Sequence, residues 1–174
     1  MIVLIGPSGS GKTTLEQALI ERGYKRAISC TTRTPRKGEK HGLNYFFMSE
    51  NDFKENILKG HMAEFSLYGD HLYGLPLSEI SENAVAVVEP NGAKALKAQK
   101  NLNVCVCYLA CPEHIRKERM LSRGDTLEQI ENRLLLDYKL FNDVSTYADI
   151  ILNTTDPIED NVEYICNFGK GKKE

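Results

Sequence analysis

No apolar run in this sequence approaches the ~18 residues that a membrane-spanning helix needs. The opening residues MIVLIGPSG lack the basic stretch of a secretory leader, and their apolar run is only Ile2–Ile5, so no cleaved signal is expected. Charge of neither sign dominates: 22 Lys and Arg stand against 24 Asp and Glu, a formal net charge of −2. That balance excludes a general nucleic-acid binder driven by counterion release. The five cysteines, Cys30, Cys105, Cys107, Cys111 and Cys166, are an odd number and lack the spacing of a disulfide framework. Cys105, Cys107 and Cys111 lie close enough together to raise a metal site, but no second CxxC or paired His follows. Cys105 and Cys107 fall in NVCVCYLA, on one side of a strand, and read as small buried hydrophobes. Internal repeats, low-complexity blocks and linkers are lacking too. These absences together point to a cytoplasmic protein with no membrane and no nucleic acid among its partners.

What is present is one domain's worth of ordinary globular sequence: 174 residues, 19.6 kDa, 41% hydrophobic and 26% charged. Short β-branched runs at Ile2–Ile5, Ala84–Val88, Val104–Leu109 and Ile150–Leu152 read as buried strands. Helical patterns fill the gaps at Gly92–Lys100, Pro112–Leu121, Thr126–Phe141 and Pro157–Phe168. Strands alternating with helices predict an α/β fold around a largely parallel, buried sheet. From about Tyr24 to Gly74 the alternation breaks. Turns, aromatics and charge take over, with a strand expected near Tyr45–Met48 and a helix over Asn51–Lys59 opened by Ser49 and Asp52. This segment is expected to be a small mixed subdomain. The last six residues, GKGKKE, are expected to fray.

Residues 6–13 read GPSGSGKT, the pattern G-x-x-x-x-G-K-[ST] carried by Gly6, Gly11, Lys12 and Thr13. From composition alone a chance match in this length is on the order of one in a hundred. The context narrows it further, since the motif follows the first strand directly and opens a helix containing Leu15 and Leu19. Gly6, Gly9 and Gly11 let the backbone wrap with its N–H groups inward, and the helix N-terminus adds a positive dipole end for phosphate. Lys12 reaches β- and γ-phosphates, and Thr13 offers a hydroxyl to Mg²⁺. The whole segment Gly6, Pro7, Ser8, Gly9, Ser10, Gly11, Lys12, Thr13 and Thr14 is therefore expected to bind ATP or GTP.

A second cluster lies between Tyr24 and Lys40, where six basic side chains stand against the single acid Glu39. Arg33 and Arg36, with hydroxyls at Ser29, Thr31, Thr32 and Tyr45, form a cage suited to a second phosphate, because guanidinium bonds phosphate bidentately. The competing reading is a solvated basic loop or an RNA contact. A third group, Arg119 and Arg123 on one helix face with Arg133 beyond the turn Gly124–Thr126, suits a lid that closes over the nucleotide; surface ion pairs are its alternative.

GPSGSGKTT followed by TTRTPRKGE..G..Y.F.S resembles the guanylate kinase family, and the likeness runs from residue 2 to about residue 168. The resemblance implies a P-loop three-layer fold in three parts. These are a parallel-sheet core (1–29, 75–112 and 134–168), a nucleoside-monophosphate subdomain (about 30–74) and a helical lid (about 113–133). It implies the reaction ATP + GMP → ADP + GDP with Mg²⁺, small-molecule substrates, and a monomer or homodimer. By position, Ser29, Arg33, Arg36, Tyr45 and Tyr73 resemble the ligands of the GMP phosphate. Glu64 resembles the carboxylate that reads guanine N1–H and N2–H₂. Arg119, Arg123 and Arg133 match lid and transfer-site arginines, and Asn153 matches the family's Asn near adenine. This sequence departs from the family at Leu75 (usually Ser or Thr), at Val87 (usually a carboxylate), at Asn44 and at Leu140. Glu89 is then the acid at the end of the AVAVV strand and is assigned to the metal-bound water shell or the acceptor. The alternatives are a kinase of another acceptor, such as ribose 1,5-bisphosphate, and a non-catalytic binding module of the same fold; the second is ranked low because Lys12 and Thr13 are kept.

Overall fold

The structure is a computed structural model that describes residues 1–171. Nine strands and six α-helices run in the order β1 (Ile2–Ile5), α1 (Lys12–Glu21), β2 (Lys25–Ala27), β3 (Cys30–Thr31), β4 (Phe46–Phe47), α2 (Glu50–Leu58), β5 (Met62–Tyr68), β6 (His71–Pro76), β7 (Ala84–Val87), α3 (Pro90–Lys97), β8 (Cys105–Ala110), α4 (Glu113–Ser122), α5 (Leu127–Leu140), β9 (Ile150–Asn153) and α6 (Ile158–Gly171). Five strands form one sheet in the order β2-β7-β1-β8-β9, and every pairing in it is parallel. The short strand β2 joins it at one edge, which the sequence did not signal. Two apolar layers cover the sheet, one with Val3, Ile5, Ala86, Leu96 and Val106, the other with Leu4, Leu15, Leu19, Leu109 and Ile165. A sheet apolar on both faces is what the unbroken run Ile2–Ile5 requires. Cys107 sits in the second layer with Cys105 and Cys166 packed against it.

The segment expected to be a mixed subdomain builds a second sheet, β4-β3-β6-β5, with β3 parallel to β4 and antiparallel to β6. Its last strand ends at Pro76, two residues beyond the boundary suggested by the resemblance. Ser49 caps α2 as expected, its hydroxyl accepting from the Asp52 N–H at 3.1 Å. Thr126 and Gln129 form a capping box that starts α5, which runs past the expected lid boundary at 133 to Leu140. Helix α6 continues through Gly171, where fraying was expected from 169; residues 172–174 lie outside the described ones. Among the described residues no helix is long and apolar enough to cross a membrane.

Candidate active site

The turn between β1 and α1 wraps as the glycines predict. Gly9 has φ of +77°, and a Cβ there would lie 2.8 Å from the Arg116 carbonyl oxygen, so the loop backbone presses directly on α4. Helix α1 has no side-chain cap, which leaves its first N–H groups for an anion. Lys12 folds over the loop, its Nζ donating to the Gly6 and Pro7 carbonyls at 2.5 and 3.1 Å. Burial lowers its pKa, while Glu89 and Asp137 act in the opposite direction.

In front of the loop lies a cavity of about 440 Å³. One wall is the loop itself, with Gly6, Ser8, Gly9, Ser10, Gly11, Lys12, Thr13 and Thr14. The facing wall carries Arg33, Arg36, Tyr45 and Tyr73 from the second sheet and its loops, and the lid contributes Arg119, Arg123 and Arg133. Burial lowers the pKa of Arg36, and the neighbouring cations Arg33, Arg133 and Arg123 lower it further. Such mutual repulsion among converged cations is what a polyanion relieves on binding. Arg33 is held by Glu39 at 3.0 and 2.9 Å and lies over the Tyr45 ring at 5.5 Å. Glu39 also accepts the Arg36 N–H at 2.7 Å, so the lone acid of the basic segment shapes its loop. Tyr45 and Tyr73 meet edge to face at 6.1 Å, and burial raises the Tyr45 pKa, so its hydroxyl remains a donor. Arg119 rests on the loop, donating to the Gly9 carbonyl at 3.1 Å; Arg123 is paired with Asp125.

Four expected ligands stand away from this cavity. Pro7 belongs to the loop without lining the cavity. The Ser29 hydroxyl donates to the Val87 carbonyl at 3.3 Å, beside an adjoining hollow of about 110 Å³ that Thr13, Arg36 and Tyr45 share. Asn153 uses its side chain to build a turn, bonding Asp156 at 3.2 Å and the Thr155 hydroxyl at 2.9 Å. The cavity beside it, about 240 Å³, is lined instead by Ser10, Thr14, Thr154, Asp156 and Asn161. Glu64 is 5% exposed. The Leu75 backbone beside its carboxylate favours the charged form, but Oε2 has no partner and lies so close to Gly92 that a Cβ there would come within 2.1 Å of it. Burial is the main cause that pushes Glu64 up to about 8. Leu75 is fully buried in the core.

Glu89, at the start of α3, lines the main cavity; burial raises its pKa to about 7, against the pull of Lys12. Two further lining residues, Tyr68 and Asp137, were not expected from the sequence. Asp137 lies four residues after Arg133 on one face of α5, which was the signal available for it.

A P-loop facing an arginine–tyrosine cage across one cavity agrees with the sequence comparisons. The family model described as guanylate kinase matches residues 1–168. The chain belongs to the guanylate kinase family. It is 35% identical to a guanylate kinase of Helicobacter pylori over 98% of this chain and 86% of that one. It is 37% identical to one of Caldanaerobacter subterraneus subsp. tengcongensis over 95% of this chain and 84% of the other. The crystal structure of guanylate kinase from Anaplasma phagocytophilum superposes with a TM-score of 0.75, covering 99% of this chain and 85% of that chain at 22% identity. The family's α/β P-loop fold is thus the fold of this chain, and nucleotides are the family's substrates.

Proposed function

We propose that this chain transfers the γ-phosphoryl group of ATP to GMP, in the cytoplasm, by in-line displacement. One observation carries the reading: Lys12 and the P-loop amides face Arg36, Tyr45 and Tyr73 across a single cavity, with Arg119, Arg123 and Arg133 beside it. In-line transfer needs two phosphates brought together and their charge neutralised, more than it needs covalent chemistry from the protein. The loop amides and Lys12 hold the ATP phosphates. Arg36, Tyr45 and Tyr73 hold the acceptor phosphate, with Arg33 beneath them kept in place by Glu39. The lid arginines flank the transferring group, and the cavity beside Asn153 takes the adenosine. Glu64 lies outside this cavity with Oε2 buried and unpaired, and that unmet acceptor supports assigning it to guanine once the base is admitted beside it.

The donor set fits Mg²⁺, since the Thr13 hydroxyl and the Glu89 carboxylate are hard oxygen donors on the cavity wall. Bound there with ATP, the ion would neutralise charge on the β- and γ-phosphates. The protein's own part is to orient the two nucleotides and to exclude water by closure of the lid and the second sheet.

The direct test is ADP formation from ATP and Mg²⁺ with GMP, dGMP, AMP, CMP, UMP, dTMP and ribose 1,5-bisphosphate offered separately. Selective turnover of GMP or dGMP is expected. Turnover of another acceptor alone would instead make Leu75 and Val87 specificity determinants. Arg36→Ala is expected to raise the KM for GMP roughly ten- to a hundredfold, as loss of a charge-assisted hydrogen bond of about 1.5–3 kcal/mol implies. The KM for ATP should stay within about twofold; a main effect on ATP would reject this placement.

A further inference from the structure

Asp137 is 2% exposed, and three separate parts of the molecule meet on it. Its Oδ2 accepts the Ser8 N–H of the P-loop at 2.8 Å and the Arg116 Nη1 of α4 at 3.1 Å. Its Oδ1 accepts the Tyr68 hydroxyl at 2.9 Å, and that hydroxyl also lies 3.0 Å from Ser8 Oγ. Tyr68 ends β5, next to the hairpin turn of the second sheet. Its ring meets Tyr73 edge to face at 6.3 Å, and Tyr73 in turn meets Tyr45. A row of aromatic rings therefore runs from the acceptor cage to Asp137.

Resting on the kinase reading, we propose that Asp137 is a positioning residue for phosphoryl transfer and that Tyr68 latches the acceptor-binding sheet onto it. Three donors already occupy its carboxylate, two on Oδ2 and one on Oδ1. It acts through what it holds: the Ser8 amide, which sets the P-loop, and Arg116, whose carbonyl packs on Gly9. The Tyr68 bond exists only when the second sheet is seated against the P-loop, so seating the acceptor and fixing the loop are one event. Such coupling through a shared two-state contact is how closure commits an enzyme to its substrate. Val87 is apolar, and Asp137 and Glu89 are the acids lining the cavity, both facing Lys12.

Tyr68→Phe removes one hydroxyl and keeps the ring. It is expected to lower kcat/KM for GMP about tenfold, equal to about 1.4 kcal/mol, with the dissociation constant for ATP alone unchanged within twofold. Asp137→Asn is expected to lose more, because the P-loop amide and buried Arg116 lose their carboxylate. The double variant is expected to match Asp137→Asn within twofold, because the two side chains act as one unit. A Tyr68→Phe enzyme within twofold of the parent overturns the latch, as do single losses that multiply in the double variant. Amide exchange at Ser8, followed by NMR without substrates, separates this failure from failure of the kinase reading. The latch requires faster exchange in Tyr68→Phe, and unchanged exchange overturns it even if the parent phosphorylates no GMP.

Discussion

Lys12→Ala is expected to lower GMP-dependent ADP formation by about a thousandfold or more while leaving the protein folded. The magnitude follows from what an aimed cation is worth in a water-excluded phosphoryl-transfer site, on the order of 4 kcal/mol of transition-state stabilisation. Stability should change little, because two effects oppose each other. The variant loses the donations to the Gly6 and Pro7 carbonyls, about 1 kcal/mol each. It also relieves the cost of burying an ammonium, the main cause that lowers the Lys12 pKa. A residual of about 1 kcal/mol moves Tm by roughly 2–4 °C in a chain of this size. Turnover in Lys12→Ala within tenfold of the parent would sink the role given to this residue. A large fall in Tm would show that the side chain is part of the fold.

The P-loop was legible because every part of its signal is local: strand, glycines, lysine and helix follow one another within twenty residues. The parallel core was legible for a similar reason, since Ile2–Ile5 and Ala84–Val87 are apolar on both faces and their burial demands it. Strand β5 was not, because its polarity is inverted. Glu64 and Ser66 are buried, while Phe65 and Leu67 are 50% and 61% exposed, so an alternation rule puts the wrong face inside. Strands β2 and β3 are three and two residues long and carry no period to read, whereas β4 falls inside the strand expected near Tyr45–Met48. Asp137 and Tyr68 were missed because their meaning lies in contacts 129 and 69 residues apart. The arginine cage was visible as charge, but not the fact that Glu39 holds Arg33, because a single acid among six bases reads as noise until the loop is folded.

Glu64→Gln is expected to reduce kcat/KM for GMP at pH 8 by on the order of a hundredfold, since it replaces a charged acceptor by an amide whose NH₂ opposes guanine's donors, a loss of about 3 kcal/mol. The pH dependence adds a second signature. Burial, more than the nearby Glu89, pushes the Glu64 carboxyl up to about 8, and the Leu75 backbone only partly offsets it. Guanine needs the ionised form, so the parent's kcat/KM for GMP should rise as pH increases toward 8, and this component should vanish in Glu64→Gln. Stability runs the other way. A carboxyl whose folded pKa lies above its unfolded value of 4.5 stabilises the fold below that value, and the contribution is lost as pH rises through about 8. Glu64→Gln carries no such proton, so its Tm should fall less than the parent's between pH 5 and pH 9, even as it loses GMP. Parallel Tm curves, or equal GMP turnover in the two proteins, would remove Glu64 from the base-reading role. Turnover would then have to be specified through the phosphate cage alone, and the acceptor panel would show poor discrimination among bases.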